Sequence, residues 1–123
     1  MIRLQHIETE GPLPTSCFDI VNDEEKIGMV QIRHKPGGSA SVPEDMRSHL
    51  YYEIEEFHRG KGYMKIIFPL IIEEAKKIGL QEFFATVYAD NIASKKVIEN
   101  NGGKLIKQTI LEDGRIFFKY RLF

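Results

Sequence analysis

Residues 51–64 have the sequence YYEIEEFHRGKGYM, and the rest of the chain is organised around this stretch. A run typical of a strand ends in a loop with two glycines and two cations, and helical spacing follows at once. Gly60 and Gly62 have no Cβ atoms, so backbone N–H groups there can approach a bulky ligand closely. A helix start adds unpaired N–H donors and the positive end of its dipole. With Arg59 and Lys61, these features predict a cradle for an anion such as pyrophosphate. The alternative is an ordinary Gly-rich turn with solvated cations.

Neither standard phosphate-binding motif fits this loop. A P-loop has Ser or Thr directly after its Gly-Lys pair, whereas Lys61 is followed by Gly62. A dinucleotide-binding fingerprint needs a third glycine, and this chain has Lys65 at that position.

The composition is typical of one globular domain spanning residues 1–123. Hydrophobic residues make up 42% of the chain and charged residues 28%, with a formal net charge of −1. This balance gives no indication of nucleic-acid or membrane binding. Neither a signal-peptide pattern nor an apolar run of membrane-spanning length is recognised. Cys17 is the single cysteine, which favours a reducing, cytoplasmic location; it has no neighbouring base, and we interpret it as a packing residue.

Hydrophobic periodicity predicts an α+β (mixed α/β) domain. The predicted strands are Met1–His6, Cys17–Val21, Ile27–His34, Leu50–Phe57, Gln81–Tyr88, Lys104–Leu111 and Arg115–Phe123. The predicted helices are Gly62–Ile78 and Ile92–Asn101, and residues 8–16 and 36–46 are predicted loops. The strand–helix–strand order around the first helix predicts a parallel strand pair with a right-handed crossover.

Two segments resemble motifs of the GNAT superfamily of N-acetyltransferases. Residues 59–63, RGKGY, fit the acetyl-coenzyme A loop of that family, Arg/Gln-x-x-Gly-x-Gly/Ala, and Met64 departs from it at the last, small-residue position. Residues 90–103, DNIASKKVIENNGG, resemble the second helix of the family at the right spacing. The ending Gly102-Gly103 resembles a subgroup of small predicted bacterial acetyltransferases.

The resemblance implies a GNAT-like fold and a coenzyme A site. The implied fold is a central mixed, mostly antiparallel sheet with flanking helices, in which two central strands splay apart and hold the cofactor between them. The main chain of Ile54, Glu56 and Phe57 would pair with the pantetheine arm, and Asn91 and Ser94 would reach the cofactor from its other side. The pyrophosphate would be held by backbone N–H groups of Arg59, Gly60, Lys61, Gly62, Tyr63 and Met64.

Acetyl transfer to an amine needs a base, a proton donor for the thiolate and a partner for the oxyanion. Glu53 is the first choice as base; the alternative is that the acidic residues of its strand form a solvated face. Tyr88, Thr86 and Ser94 are candidates for the proton donor, and a backbone N–H near Ile54 for the oxyanion. Many family members have a tyrosine in the second helix where this chain has Ile98. The four histidines show no ligand spacing, so no metal site is predicted.

The expected function is therefore an acyltransferase that moves an acetyl group from acetyl-CoA to a primary amine of a small molecule or peptide. The alternative is a binding module that keeps the cofactor cleft but has lost its chemistry, in a sensing or assembly role. Residues 8–16 are too few for the two helices that usually form one wall of the acceptor site, so the N-terminal helical region is reduced. A lid formed by residues 36–46 or a second subunit could supply that wall; we expect a homodimer, with the lid contributing once ligand is present.

Overall fold

The computed structural model of the chain describes residues 1–10, 14–38 and 42–123. The helices are α1 (Met64–Ile78) and α2 (Ile92–Asn100), with single turns of 3-10 helix at Glu44–Met46 and Glu56–His58. The strands are β1 (Ile2–Glu10), β2 (Thr15–Asn22), β3 (Glu25–Gly37), β4 (Ser48–Ile54), β5 (Phe84–Tyr88), β6 (Lys104–Ile110) and β7 (Ile116–Arg121). The predicted α+β class is confirmed.

The N-terminal half forms a four-stranded antiparallel sheet in the order β1-β2-β3-β4. The turn between β2 and β3 has Asp23 at a φ of 55°, a conformation that Asp tolerates better than most residues. Gly28 lets β3 and β4 approach closely, because a Cβ at this position would lie 2.3 Å from the Glu53 carbonyl oxygen. The inner face of the sheet buries Ile20, Val30 and Ile32 completely.

The C-terminal half forms a three-stranded antiparallel sheet in the order β5-β7-β6. The predicted hairpin between the last two strands is confirmed, and Asp113 accepts hydrogen bonds there from the Arg115 backbone N–H (2.9 Å) and side chain (2.7 Å). β7 is the central strand of this sheet. Its Tyr120 is fully buried and donates to Glu99 of α2 at 2.8 Å, which ties α2 to the sheet.

The helices cover the sheets and complete one continuous core. The buried face of α1 carries Ile67, Phe68, Ile71 and Ala75, and α1 packs on β1 and β3. α2 packs on β5 and on α1, with Ile98 as its one buried residue. Each large apolar side chain buried in this way stabilises the fold by about 1.5–3 kcal/mol, so the helices are held mainly by this packing.

The two sheets meet where β4 and β5 begin. The hydroxyls of Ser48 and Thr86 lie 3.1 Å apart, and the backbone N–H of Phe84 donates to Nδ1 of His49 at 3.0 Å. The His49 ring is 2% exposed and stacks on Phe84 with centroids 5.4 Å apart. The sheets are thus joined by side chains at one end of the two strands.

The predicted parallel pairing of these two strands is wrong. β4 and β5 belong to different sheets, and in the described part of the chain no backbone ladder joins them. Side chains join Ser48 and His49, the first residues of β4, to Thr86 and Phe84 of β5, and the small cavity described below lies between the two strands, as the family resemblance implied. The separation leaves the far edge of β4 open.

Several predicted boundaries also need correction. β4 ends at Ile54, three residues before the predicted end at Phe57, because the chain turns into the 3-10 helix Glu56–His58. β1 continues to Glu10 and β3 to Gly37, so less of the chain is loop than the glycines and prolines suggested. Two parts of the predicted loops, residues 11–13 and 39–41, lie outside the described residues.

The predicted reduction of the N-terminal region agrees with the pairing of β1 and β2. These strands are antiparallel neighbours from Ile2 opposite Asn22 to Glu10 opposite Thr15. No helix lies between them within the residues that the structure describes.

The buried imidazole of His49 should make the stability of the protein depend on pH. Burial, together with the nearby charges of Lys119 and Arg33, lowers the pKa of His49 from 6.5 to about 4. Above pH 6.5 the imidazole is neutral in both states, so its contribution is complete. As the pH falls from 6.5 to 4, the unfolded chain binds the proton first, and we expect a loss of about 2–3 kcal/mol in the free energy of unfolding. Urea unfolding at several pH values measures this loss.

The control for this experiment is His49→Asn, whose side-chain oxygen can accept from the Phe84 N–H but does not titrate. The variant should show a flatter pH dependence between pH 6.5 and 4 than the wild-type protein. Identical slopes for the two proteins would contradict the assignment.

Candidate functional site

Two cavities lie beside β4. The first, the large cleft, has a volume of about 600 Å³ and extends over the end of β4 and the loop before α1. The second, the small cavity, has a volume of about 300 Å³ and lies between β4, β5 and the segment that leads from β3 to β4. Three residues line both: Tyr52, Asn91 and Ser94. The cavities therefore meet at this point, which we call the junction.

The loop before α1 lines the large cleft with unpaired backbone donors. Gly60 and Gly62 have φ values of 76° and 75°, in the region that favours glycine. The backbone N–H groups of residues 60–64 have no hydrogen-bond partner among the described residues, whereas the Lys65 N–H already bonds the Gly62 carbonyl. Five consecutive free donors at a helix start form a site suited to an anion.

The cations of the loop are placed around these donors. Arg59, Lys61 and Lys65 all line the large cleft. The Arg59 guanidinium turns back onto β4, where its Nε donates to the Ile54 carbonyl at 2.8 Å and its Nη2 lies 3.8 Å from a Glu53 oxygen. The loop thus combines fixed backbone donors with cations on flexible side chains.

The open edge of β4 faces the large cleft at Ile54. The Glu55 N–H bonds the Ile27 carbonyl of β3 at 2.8 Å. Because successive residues of a strand direct their backbone groups to opposite sides, the N–H and carbonyl of Ile54 point away from β3. The Arg59 bond to the Ile54 carbonyl agrees with this direction. Backbone groups at Ile54 are therefore positioned to pair with an extended ligand.

Glu56 and Phe57 do not extend that edge, which corrects the sequence-based expectation. Both lie in the 3-10 turn, where the Glu56 carbonyl accepts from the Arg59 N–H, and neither lines a cavity. The Phe57 side chain is 91% exposed.

The junction holds a hydrogen-bonded pair of hydroxyls. The Tyr52 Oη and the Ser94 Oγ lie 2.8 Å apart, and the Tyr52 ring packs edge-on against Phe68. Burial raises the pKa of the Tyr52 phenol, and the hydrogen bond to Ser94 only partly opposes this effect. The phenol is therefore protonated at neutral pH.

α2 begins at the junction and presents one face to it. Asn91 caps the helix and its side-chain oxygen accepts from the Ser94 N–H at 3.3 Å. Ile98 lies one turn after Ser94, is 1% exposed and lines the small cavity. The position where many family members have tyrosine is thus an apolar wall here.

Glu53 lies at the rim of the large cleft. Its side chain is 54% exposed and accepts from the Tyr51 hydroxyl at 3.3 Å. It is the one acidic residue among the described residues that line either cavity. His58 lines the same cleft, and its Nε2 lies 3.7 Å from Oε1 of Glu25.

Tyr88, a predicted proton donor, lines the small cavity away from the hydroxyl pair. Its hydroxyl accepts from Arg115 Nη2 at 3.1 Å, and the guanidinium lies 3.9 Å from its ring centroid. The hydroxyl of Thr86, another candidate, lies 3.1 Å from that of Ser48, where the two sheets meet.

Sequence reasoning missed three residues that shape the small cavity: Tyr52, Arg33 and Met46. Tyr52 follows from strand alternation, since it shares the inward face of β4 with Leu50 and Ile54. Met46 is 1% exposed within a segment whose glycines and prolines predicted only loop. Met46 therefore forms a wall of the cavity together with Gly37, Gly38 and Val42, the other residues of this segment that line it.

No group of three or more His, Cys, Asp or Glu side chains among the described residues is arranged to hold a metal ion. None of the described helices has the length and apolar character needed to cross a membrane.

Solved structures with the same fold include several acetyltransferases. One is RimL, a ribosomal alpha-N-protein acetyltransferase in complex with coenzyme A, at 18% identity and a TM-score of 0.66, covering 87% of this chain and 60% of that one. The acetyltransferase from Salmonella typhimurium that modifies a ribosomal-protein N-terminal serine matches at 19% identity and a TM-score of 0.63, covering 87% and 62%. Dodecameric spermidine N-acetyltransferase from Vibrio cholerae matches at 15% identity and a TM-score of 0.69, covering 87% and 63%.

These likenesses show the fold, and the chain spans about 60% of the length of these structures. No curated protein sequence matches the chain at a significant level. The family model for the acetyltransferase (GNAT) domain matches residues 3–104, which is most of the chain. The chain therefore belongs to the GNAT acetyltransferase domain family, a family of acyltransferases.

Proposed function

We propose that the protein is an acetyl-coenzyme A-dependent N-acetyltransferase that acetylates a primary amine. The observation that carries this proposal is the junction, where the large cleft and the small cavity share Tyr52, Asn91 and Ser94. An acetyl donor in the large cleft and an amine acceptor in the small cavity would meet beside the hydroxyls of Tyr52 and Ser94. The coenzyme A held by RimL supports the choice of donor.

The residues of the large cleft fit the chemistry of coenzyme A. The unpaired N–H groups of residues 60–64, with Arg59 and Lys61, suit its pyrophosphate. The backbone of Ile54 suits the pantetheine arm, whose amides resemble a peptide strand. When bound, acetyl-CoA supplies a thioester that the amine converts to an amide with release of a thiol.

Glu53 is the proposed general base. An ammonium group must lose a proton before it can attack, and Glu53 is the single acidic side chain among the described lining residues of either cavity. Its hydrogen bond from Tyr51, which lines the small cavity, connects it to that side of the strand. His58, which also lines the large cleft, is a second candidate base.

The hydroxyl pair at the junction is the proposed proton source. A serine hydroxyl alone is a weak acid, but Tyr52 Oη can pass its proton to Ser94 Oγ as Ser94 gives up its own. A relay of this kind assigns to Tyr52 the role that a helix tyrosine has in many family members, where this chain has Ile98. The backbone N–H of Ile54 is the proposed donor to the oxyanion.

The acceptor wall and the assembly remain part of the proposal. Gly37, Gly38, Val42 and Met46 line the small cavity, which supports residues 36–46 as that wall. A homodimer remains an expectation, and so does a bacterial, cytoplasmic setting. Sedimentation at micromolar concentration, with and without coenzyme A, measures the oligomeric state.

Gly62→Asp should weaken coenzyme A binding by well over tenfold, about 1.4 kcal/mol or more. The substitution places a carboxylate among the donors proposed for the pyrophosphate, and isothermal calorimetry measures the affinity. Gly114→Asp is the matched control, because its φ of 86° gives similar backbone strain in the hairpin between β6 and β7. An unchanged affinity of Gly62→Asp for coenzyme A would contradict the assignment of residues 60–64 to its pyrophosphate.

Glu53→Gln should lower turnover by about a hundredfold or more while leaving coenzyme A affinity nearly unchanged, because general bases typically contribute that much. Thiol release from acetyl-CoA over a panel of amines, at pH 6 to 9, measures turnover. His58→Gln is assayed in parallel. If that variant loses the activity and Glu53→Gln keeps it, the base is His58.

Tyr52→Phe and Ser94→Ala should each lower turnover by about a hundredfold, and the double variant should be little worse than either. This non-additivity is the mark of a relay, since breaking either member interrupts it. Coenzyme A affinity and thermal melting show whether site and fold are intact. Fully additive losses would mean that the two hydroxyls act separately. Binding of acetyl-CoA without thiol release on any amine would favour the binding-module alternative.

A further inference from the structure

Arg33 is a half-buried cation that lines the small cavity. Its Nη1 donates to the Ser48 carbonyl at 3.3 Å, and Ser48 lines the same cavity. No carboxylate among the described residues forms an ion pair with it. A guanidinium has five N–H donors, so most of its hydrogen-bonding capacity remains available.

An irregularity of the sheet places Arg33 there. The pairing of β3 with β4 passes from Ile32 opposite Leu50 directly to Gly37 opposite Ser48, so four residues of β3 face one of β4. The Arg33 side chain bonds the Ser48 carbonyl inside this irregular stretch. Irregularities of this type redirect side chains and are common beside active sites.

Partial burial of an unpaired charge is unfavourable, because the charge loses hydration without gaining a counter-charge. A ligand that brings an anion to the cavity would supply the missing partner. The carboxylate of such a ligand matches the planar fork of a guanidinium and can form two parallel hydrogen bonds with it.

The surroundings of the small cavity favour an anion over a second cation. No Asp or Glu is among the described residues that line it. Lys119 on β7 is paired with Thr86, which lines the cavity, and Lys119 and Arg33 both help to lower the pKa of His49. A ligand with several ammonium groups would meet like charge here.

The rest of the cavity wall is apolar and includes Leu50, Val87, Ile98 and Phe117. The volume of about 300 Å³ is at the lower end of the range for small-molecule sites. These features suit a compact ligand with a hydrocarbon body.

We infer that the acceptor is a small primary amine with an apolar body and a carboxylate, held with its amine at the junction and its carboxylate on Arg33. This inference rests on the proposed function, since it assigns the small cavity to the acceptor. It distinguishes the chain from an enzyme for polyamines such as spermidine, because a second ammonium group would face Arg33.

Equilibrium binding tests the inference without relying on turnover. Calorimetry on the protein saturated with coenzyme A compares matched triplets: an amino acid, its carboxamide and the amine without the carboxyl group. Leucine and 5-aminopentanoate head two such triplets, and spermidine is added as a polycation. The best carboxylate should bind about tenfold to a hundredfold more tightly than its carboxamide, because hydrogen bonds between charged groups are the strong ones.

Arg33→Gln should abolish the preference for the carboxylate, and Arg33→Lys should keep part of it. Arg3→Gln is the matched control, because Arg3 is exposed on β1 and lines neither cavity. If Arg33→Gln does not fold, as judged by thermal melting, the wild-type triplets and Arg33→Lys decide the matter.

Equal binding of carboxylate and carboxamide, tighter binding of spermidine, or no binding of any carboxylate would overturn the inference. If amines that lack a carboxylate are acetylated as well as those that have one, the proposed function stands and this inference fails. If carboxylates bind through Arg33 but no thiol is released from acetyl-CoA, the site stands and the proposed function fails.

Discussion

The structure depends on two strands being joined at one end only. Ser48 with Thr86, and His49 with the Phe84 N–H, connect the first residues of β4 to the first half of β5. A continuous ladder between these strands would satisfy every edge group and leave no space between the sheets. Side-chain contacts fix the sheets relative to each other and leave the edge of β4 at Ile54 unpaired by backbone. The small cavity, which Leu50 and Val87 line from the two strands, lies in the resulting gap.

α2 supplies the other side of the gap and is held from two directions. Asn91 caps its first turn, and Tyr120 reaches from β7 to Glu99 in its last turn. Burial, with the Glu99 contact, raises the pKa of Tyr120 to about 12, so this phenol remains a donor at any ordinary pH. The rigid attachment of α2 gives Ser94 a fixed position opposite Tyr52. A hydroxyl pair of this kind needs such support, because a small displacement would break it.

The sequence predicted the parts of the molecule whose signal is local. Alternation and helical spacing located the strands and helices, and Gly60 with Gly62 marked the turn that the structure shows at positive φ. The residues that meet across the gap were harder to predict. Tyr52 and Ser94 are separated by 42 residues, and only the tertiary fold brings their hydroxyls together. Arg33 reaches the small cavity because of an irregular pairing with β4 that no local pattern signals. The strand boundary at Ile54 was missed because Glu55, Glu56 and Phe57 include no glycine or proline to mark the turn into the 3-10 helix.

The bond from Arg59 to the Ile54 carbonyl has a consequence for the protein before any ligand arrives. An unpaired strand edge in the middle of a molecule is a template onto which a strand of another chain can add. Arg59 occupies the acceptor at the end of that edge and brings a positive charge to it, and both features discourage strand addition. A ligand that pairs with the Ile54 carbonyl would therefore compete with an internal partner. The free energy that such a ligand gains here is the difference between its own hydrogen bond to the carbonyl and the bond that Arg59 gives up. The released guanidinium would then lie beside the N–H donors of residues 60–64, where an anion would be bound.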